Sequence, residues 1–275
     1  KAALAAERMA KAMAPEELPP ETPADKKDNW AGSAGIGLTY ITGNTQSLLV
    51  TSNVAADRKW VVWSFGLRLW AAYGIANPTA YISATPTNTT ARKAGGTARL
   101  ERQFGAGFAS AFGLVGSELD HVKNIESRTV GEGGVGLTFF NKKAGDLEKL
   151  FLKLDLALRG GYETRFQYFP APVRIDPYGV PILAPRAAVH FRWGFNQYVR
   201  VSEEIEFITF VLNPDAGRLL INNTTKLSSR ITDFLALTAA IVINYDSKPP
   251  QIAPPPAPQR VTTDITLTAG LEAVF

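Results

Sequence analysis

Apolar and polar residues alternate along the last fifteen residues of the chain, Val261 to Phe275. Every second position back from Phe275 gives Ala273, Leu271, Ala269, Leu267, Ile265, Thr263 and Val261, and the positions between are Val274, Glu272, Gly270, Thr268, Thr266, Asp264 and Thr262. Side chains alternate across a strand, so the segment predicts a ribbon with one apolar and one polar face. Strands of soluble sheets are mostly about five or six residues long and rarely keep one face apolar for about eight positions. A strand that crosses a bilayer in a barrel has this length and this two-residue period.

The same period recurs from Trp30 onward. Twelve strand-length segments are predicted: 30–42, 45–57, 60–74, 89–102, 106–121, 127–140, 149–164, 186–196, 201–212, 217–229, 233–246 and 260–275. An even number suits a single-chain bacterial barrel. With the amino end in the periplasm, odd-numbered connections lie outside the cell and even-numbered ones inside. The longest connections, Ile75 to Asn88, Arg165 to Pro185 and Ser247 to Gln259, are the third, seventh and eleventh, whereas even ones include turns such as Gln103 to Gly105 and Ile231 to Thr232. A miscounted strand would break that parity. The long connections hold most of the prolines, including Pro249, Pro250, Pro254, Pro255, Pro256 and Pro258, which cannot donate to a ladder.

Charge decides which face turns inward. In the seventh segment Leu150, Leu152, Leu154, Leu156, Leu158 and Tyr162 oppose Lys153, Asp155, Arg159 and Glu163. An ionised group at mid-bilayer costs about 2–4 kcal/mol on barrel scales, so the charged side faces the lumen. By the same rule Trp63, Phe65, Leu67, Leu69 and Tyr73 face lipid in the third segment and Arg68 does not; in the eighth, Val189, Phe191, Trp193 and Phe195 face out and His190 and Arg192 face in. Trp30, Tyr40, Trp60, Tyr73, Tyr162 and Tyr245 fall near strand ends, where aromatic rings favour the membrane interfaces. The fifth segment is ambiguous: Phe104, Phe108, Phe112 and Leu114 favour the even face as the outer one, but Val115 and Leu119 sit on the other. Glycines 131, 133, 134 and 136 in the sixth segment mark a bulge, a tight curve, or space for something packed inside. The predicted class is therefore all-β, a twelve-stranded antiparallel transmembrane barrel over residues 30–275. A soluble β-sandwich, the competing architecture, expects shorter strands.

Composition conceals this fold, because 45% hydrophobic residues and a mean hydropathy of −0.03 also describe a soluble domain. No run approaches the roughly eighteen apolar residues of a helical span. With no cysteine and two histidines, disulfides, thiolate catalysis and zinc clusters are excluded, and neither metal nor cofactor is expected. The net charge of +4 comes from scattered residues rather than a basic patch, so no nucleic-acid partner is expected. Residues 1–29 differ from the rest: KAALAAERMAKAMA favours a short helix and PEELPPETPADKKDN an extended linker. This periplasmic arm is read either as a frayed tail or as a helix that docks on a periplasmic or membrane protein or plugs the pore. Ala2 to Met13 lacks the regions of a signal peptide, so an export signal is expected to have been removed already.

Catalytic chemistry finds little support, and no catalytic residue is expected. Ser117 and His121 are spaced for a nucleophile and base, but serine near histidine is common by chance. Glu204 and Glu206 share a face, as glycosidase acids do, yet facing lumenal cations is the simpler role. The lumen-lining candidates are Arg68, Arg99, Glu132, Lys153, Asp155, Arg159, His190, Arg192, Glu204 and Glu206. They either pair across the lumen and block it or line a narrow water-filled path, in which Arg68, Arg99, Lys153, Arg159 and Arg192 would favour anionic solutes. Twelve strands lie between the filled eight-stranded barrel and the open porins, so size leaves both alternatives standing.

The first hairpin reads Trp30, Gly32, Ser33, Gly37, then Thr42, Gly43, Asn44 and Thr45. This arrangement, followed by eleven more strands and a terminal phenylalanine, resembles the salt-induced outer-membrane protein family, a bacterial group whose domain has no assigned function. The resemblance spans Trp30 to Phe275 and implies the outer membrane of a Gram-negative bacterium, both termini periplasmic, with outer-membrane lipid around the wall. Leu267, Leu271 and the terminal Phe275 are similar to the end that the barrel assembly machinery reads in such proteins. The resemblance carries over no catalytic residue. The expected function is a narrow or occluded channel for small solutes, linked to osmotic or salt stress, and the alternative is a non-conducting structural or docking component that uses the arm.

Overall fold

The structure, a computed structural model, describes residues 30–41, 45–78, 88–121, 123–144, 147–166, 177–249 and 262–274. Twelve strands follow in order: β1 (Trp30–Ile41), β2 (Thr45–Lys59), β3 (Trp63–Pro78), β4 (Asn88–Phe104), β5 (Ala109–Asp120), β6 (Ile125–Ala144), β7 (Leu147–Arg165), β8 (Gly179–Gly194), β9 (Val199–Thr209), β10 (Leu219–Arg230), β11 (Leu235–Asp246) and β12 (Thr263–Val274). Each pairs antiparallel with its sequence neighbours, and β1 meets β12 from Ser33–Val274 to Gly37–Gly270 to close the barrel. The arm of residues 1–29, Phe275 and prolines 250 to 258 lie outside the described residues.

The parity of the connections holds. The described residues 60–62, 105–108, 195–198 and 231–234 make short turns at one end of the barrel, and the ends of β3 and β4, of β7 and β8, of β9 and β10 and of β11 and β12, which the longest stretches of sequence separate, lie at the other. These are called below the short-turn end and the long-loop end.

Two sequence expectations are corrected. The eighth strand begins at Gly179 rather than 186, so Pro181 and Pro185 lie within it. Residues 179–185 pair with β7, while the ladder to β9 starts only at Arg186, so these prolines sit where one edge has no strand to receive an N–H. The even face of the fifth strand is the inner one: Val115 is 63% exposed on the outside and Phe112 is 6% exposed, pointing in. The phase misleads because Phe104 and Phe108 flank a tight turn at Gly105–Gly107, where positive φ at both glycines breaks the alternation between β4 and β5.

Outside, the wall is apolar where alternation demands it, with Leu156, Leu158, Tyr162, Trp193, Ile265, Leu267 and Leu271 all exposed. A polar island interrupts it on β9 and β10. Glu203 faces out on β9, where Asn223 Nδ2 donates to its Oε1 at 3.1 Å, and Thr225 Oγ1 donates to Asn223 Oδ1 at 3.4 Å. The glycines of β6 divide by face. Gly131 and Gly133 have open space beside them, whereas a Cβ on Gly134 would meet the Phe112 ring at 2.8 Å and one on Gly136 would meet Lys153 Cε and Ser110 Oγ at 2.5 Å. The inward pair is thus space for packed side chains, and the register shifts of β6 lie elsewhere, at Ile125/Ser127, Thr138/Phe140 and Lys142/Lys143.

A cation placed on this outer face should be expelled by lipid. Leu156→Arg is expected to cost about 2–4 kcal/mol in urea unfolding from vesicles, whereas Glu203→Leu should leave stability unchanged or raise it.

Candidate functional site

The lumen has two unlike halves. Down the wall built by β6 to β10, charged and apolar side chains fill the interior in layers, beginning at the long-loop end. There Arg165 Nε donates to Glu163 Oε1 at 2.7 Å and its Nη2 to Asp215 Oδ2 at 2.5 Å. Arg218 Nη1 donates to Asp215 at 2.7 Å and Nη2 to Asp246 at 2.6 Å, and Arg128 joins Glu118 to Glu163. Beneath lies an apolar layer of Val180, Ile182, Ala184, Ile208, Phe210 and Leu220.

Two further ionic layers follow. In one, Arg159 pairs with Glu132 and with Glu206 at 3.0 Å, Arg186 pairs with Glu206, and Asn222 Nδ2 donates to Glu206 at 2.7 Å. In the other, the fully buried Asp155 accepts from Arg99 Nη1 at 2.5 Å, lies 3.4 Å from Lys153 Nζ, and meets His190 Nε2 at 3.2 Å. Lys153 reaches back to Glu101 at 2.5 Å, and the Arg99 guanidinium stacks 3.7 Å from the Phe112 ring centroid. Burying a charge is offset where opposite charges lie against it, and here Asp155, Glu163, Glu132 and Glu206 each lie against two or more cations, although Asp155 Oδ1 and Glu132 Oε2 accept no hydrogen bond.

The facing wall, built by β11, β12, β1, β2 and β3, turns mostly small residues inward. Thr238, Ala240, Thr266, Thr268, Gly270, Ser33, Gly35, Gly37, Thr51, Asn53 and Ala55 hold the inward parity, and Asn53 is exposed although it points into a closed barrel. An exposed side chain inside a closed wall means that water reaches it. The lumen is therefore packed on one side, and on the other, called below the open half, inward side chains are left exposed.

This division sorts the sequence candidates. Arg99, Glu132, Lys153, Asp155, Arg159 and Glu206 belong to the filled half. Arg68, Arg192 and Glu204 reach the open half, with side chains 47%, 41% and 54% exposed, and His190 stands between, bonded to Asp155 and 3.6 Å from Glu204. Arg68 makes a two-pronged pair with Asp57 at 2.8 and 2.9 Å. Arg192 stacks on Phe151 at 4.0 Å and lies 3.2 Å from Glu148. Around the twelve-strand ring β8 stands five and six places from β3 and β2, so Arg192 and the Arg68–Asp57 pair face the lumen from opposite walls near its short-turn end. At the long-loop mouth Lys123, between β5 and β6, lies 3.3 Å from Asp264 of β12, five or six places away, and forms a strut across the opening.

Leu267 and Leu271 face out as expected, and Phe275 lies outside the described residues. Ser117 also faces out, its hydroxyl 3.3 Å from that of Thr129, and the His121 ring lies edge-on to Phe166 at 4.7 Å. Sequence reasoning missed Arg186, whose parity alone would have placed it inside, and missed Arg165, Asp215 and Arg218, which sit at or beyond strand ends where alternation gives no signal.

Loss of one buried partner should expose the difference between the two halves. Asp155→Asn is expected to cost about 3–5 kcal/mol, because Arg99 and Lys153 lose a buried counter-charge; Asp57→Asn, at an exposed pair, should cost about 1 kcal/mol or less. The temperature at which the folded band is lost on SDS gels measures both.

The family model described as a protein of unknown function, DUF481, matches residues 34–275. Among solved structures, an outer-membrane channel from Pseudomonas putida F1 is 9% identical at a TM-score of 0.49, over 93% of this chain and 100% of that one. The NanC porin is 10% identical at 0.43, over 88% and 98%, and the translocator domain of the autotransporter NalP from Neisseria meningitidis is 10% identical at 0.42, over 99% and 94%. Among curated proteins none matches the sequence.

Proposed function

The chain belongs to this DUF481 family of proteins of unknown function, and we propose that it is an outer-membrane barrel whose half-filled lumen conducts small solutes. The observation that carries the reading is the exposure of Asn53, Arg68, Thr224 and Glu204 inside a closed wall. A lumen stabilised only by internal pairing would bury such groups as thoroughly as Asp155. The filled half supplies rigidity and the small-residue half supplies the path. The reading is non-enzymatic.

The short-turn end faces the periplasm and the long-loop end the exterior in this proposal, following the rule that barrels of this kind keep short turns inside. A link to osmotic or salt stress, implied by the sequence resemblance, fits a path wide enough for water and small solutes alone.

Purified protein in a planar bilayer tests the proposal. Wild type is expected to give small, steady conductance steps, and Asn53→Trp, which puts a large ring into the open half, should reduce or abolish them. If wild type conducts nothing while its folded band is intact, the channel reading fails and a docking role for residues 1–29 takes its place; a partner that co-purifies with the full chain and is lost on deleting 1–29 would be the mark of that role.

A further inference from the structure

We infer that the path prefers small anions and that Arg192 and Arg200, at the short-turn end of the lumen, set this preference; the inference rests on the channel reading above. Five lumenal cations were candidates for this role from sequence, and three are spent. Arg99, Lys153 and Arg159 each lie against buried carboxylates, so their fields are cancelled within the filled wall. A charge packed among buried carboxylates, away from the open side of the lumen, attracts little that passes by.

The short-turn end is different. Arg192 and Arg200 hold inward positions on β8 and β9, where Arg200 pairs in register with Gly194, one inward position from Arg192. Lys59 at the end of β2 and Arg230 at the end of β10 have the same inward parity, and Arg230 pairs in register with the buried, inward Ala236. Lys59, Arg200 and Arg230 are exposed, and among the described residues none of the three has a carboxylate partner. Against them stand Asp57, engaged by Arg68, Glu148, beside Arg192, Glu272, engaged by Lys226, and the exposed Asp233 of the turn between β10 and β11. Cations are therefore in excess where the lumen opens.

Arg192 is also held in place. Its guanidinium lies 4.0 Å from the Phe151 ring, and its Nε, 3.2 Å from Glu148, is not aligned to donate to it. A planar, permanently charged fork fixed on an aromatic face presents donors to a passing anion. Such a mouth raises the local anion concentration, in proportion to its uncompensated charge. Within the lumen an exposed carboxylate opposes it: Glu204, two inward positions up β9 from Arg200 and 3.6 Å from His190. Glu204 tempers the anion preference rather than reversing it, since it is one charge against several.

The reversal potential across a planar bilayer in a potassium chloride gradient tests the inference. Wild type should favour chloride over potassium. Arg200→Glu and Arg192→Gln should each reduce that preference, the two together should invert it, and Glu204→Gln should strengthen it. Arg159→Gln with Glu132→Gln, which removes a buried pair without changing net charge, should leave it unaltered. Arg200 lies near the end of its strand and is exposed, so Arg200→Glu keeps the barrel form, which the folded band on SDS gels verifies. Conductance that is cation-preferring in wild type, or unmoved by both arginine variants, overturns the inference while leaving the channel standing. Absence of conductance removes both.

Discussion

The wall closes because a bilayer offers the backbone nothing to bond with. An unpaired N–H or C=O in hydrocarbon costs several kcal/mol, so a spanning sheet cannot keep an edge. That requirement joins β1 to β12 at Ser33–Val274 through Gly37–Gly270 and fixes everything downstream. Once the ring is shut, each strand has one face against lipid and one against the lumen, and the two-residue period becomes a statement about solvent. Gly37 and Gly270 face each other in register at this seam, where a Cβ on Gly270 would run into the backbone of Ile36 and Gly37.

The closed ring then sets the problem that the interior solves. A twelve-stranded lumen is too wide for side chains from opposite walls to interlock throughout, and a hollow ring gains no stability from its interior. The charged wall answers by packing to one side. Asp155, Glu163, Arg165 and Arg218 are buried almost completely because three or four strands bring their partners to them, and Gly134 and Gly136 clear the floor on which Phe112 and Lys153 lie. Layering ion pairs above and below the apolar group of Ile182, Ile208 and Phe210 makes that wall rigid in register, since a slip of one residue would turn each charge to lipid. The other wall is released from packing, and small residues there leave room for water.

Much of the fold was legible in the sequence, and the reason is lipid. Leu152, Leu154, Trp193 and Leu267 alternate cleanly with polar neighbours because a charged substitute at those sites would be expelled. The candidate site was legible only in part. Parity told that Arg99 and Arg192 both face the lumen; it held nothing to tell that one is locked beside Asp155 and the other stands in the open half, which depends on pairings between strands distant in sequence. The three unpaired cations of the short-turn end were missed for a plainer reason. Lys59, Arg200 and Arg230 lie one or two residues past the predicted ends of their strands, where a period of two has too few repeats to show. Phe112 was misread because the turn at Gly105–Gly107 resets the phase, and Arg165, Asp215 and Arg218 fell in or beside connections, where no period applies.

Glu203 and Glu204 show how far a single step of parity reaches. They are neighbours with the same chemistry, and the strand turns one to lipid and the other to the lumen. Glu204 is left exposed on the lumenal side. Among the described residues Glu203 takes one donated bond, from the Asn223 amide, with Thr225 bonded to Asn223 behind it, inside a wall of Phe191, Val201, Ile205 and Leu227. A carboxylate in that setting costs less than an arginine would but is not free, and the two polar residues beside it on β10 lessen the cost by sharing it. Exchanging the register of β9 by one residue would swap the two glutamates yet would also turn Ile208 and Phe210 out and Phe207 in, emptying the apolar layer that Ile182 and Leu220 complete. The position of Glu204 in the open lumen is thus held by packing at the far end of its own strand.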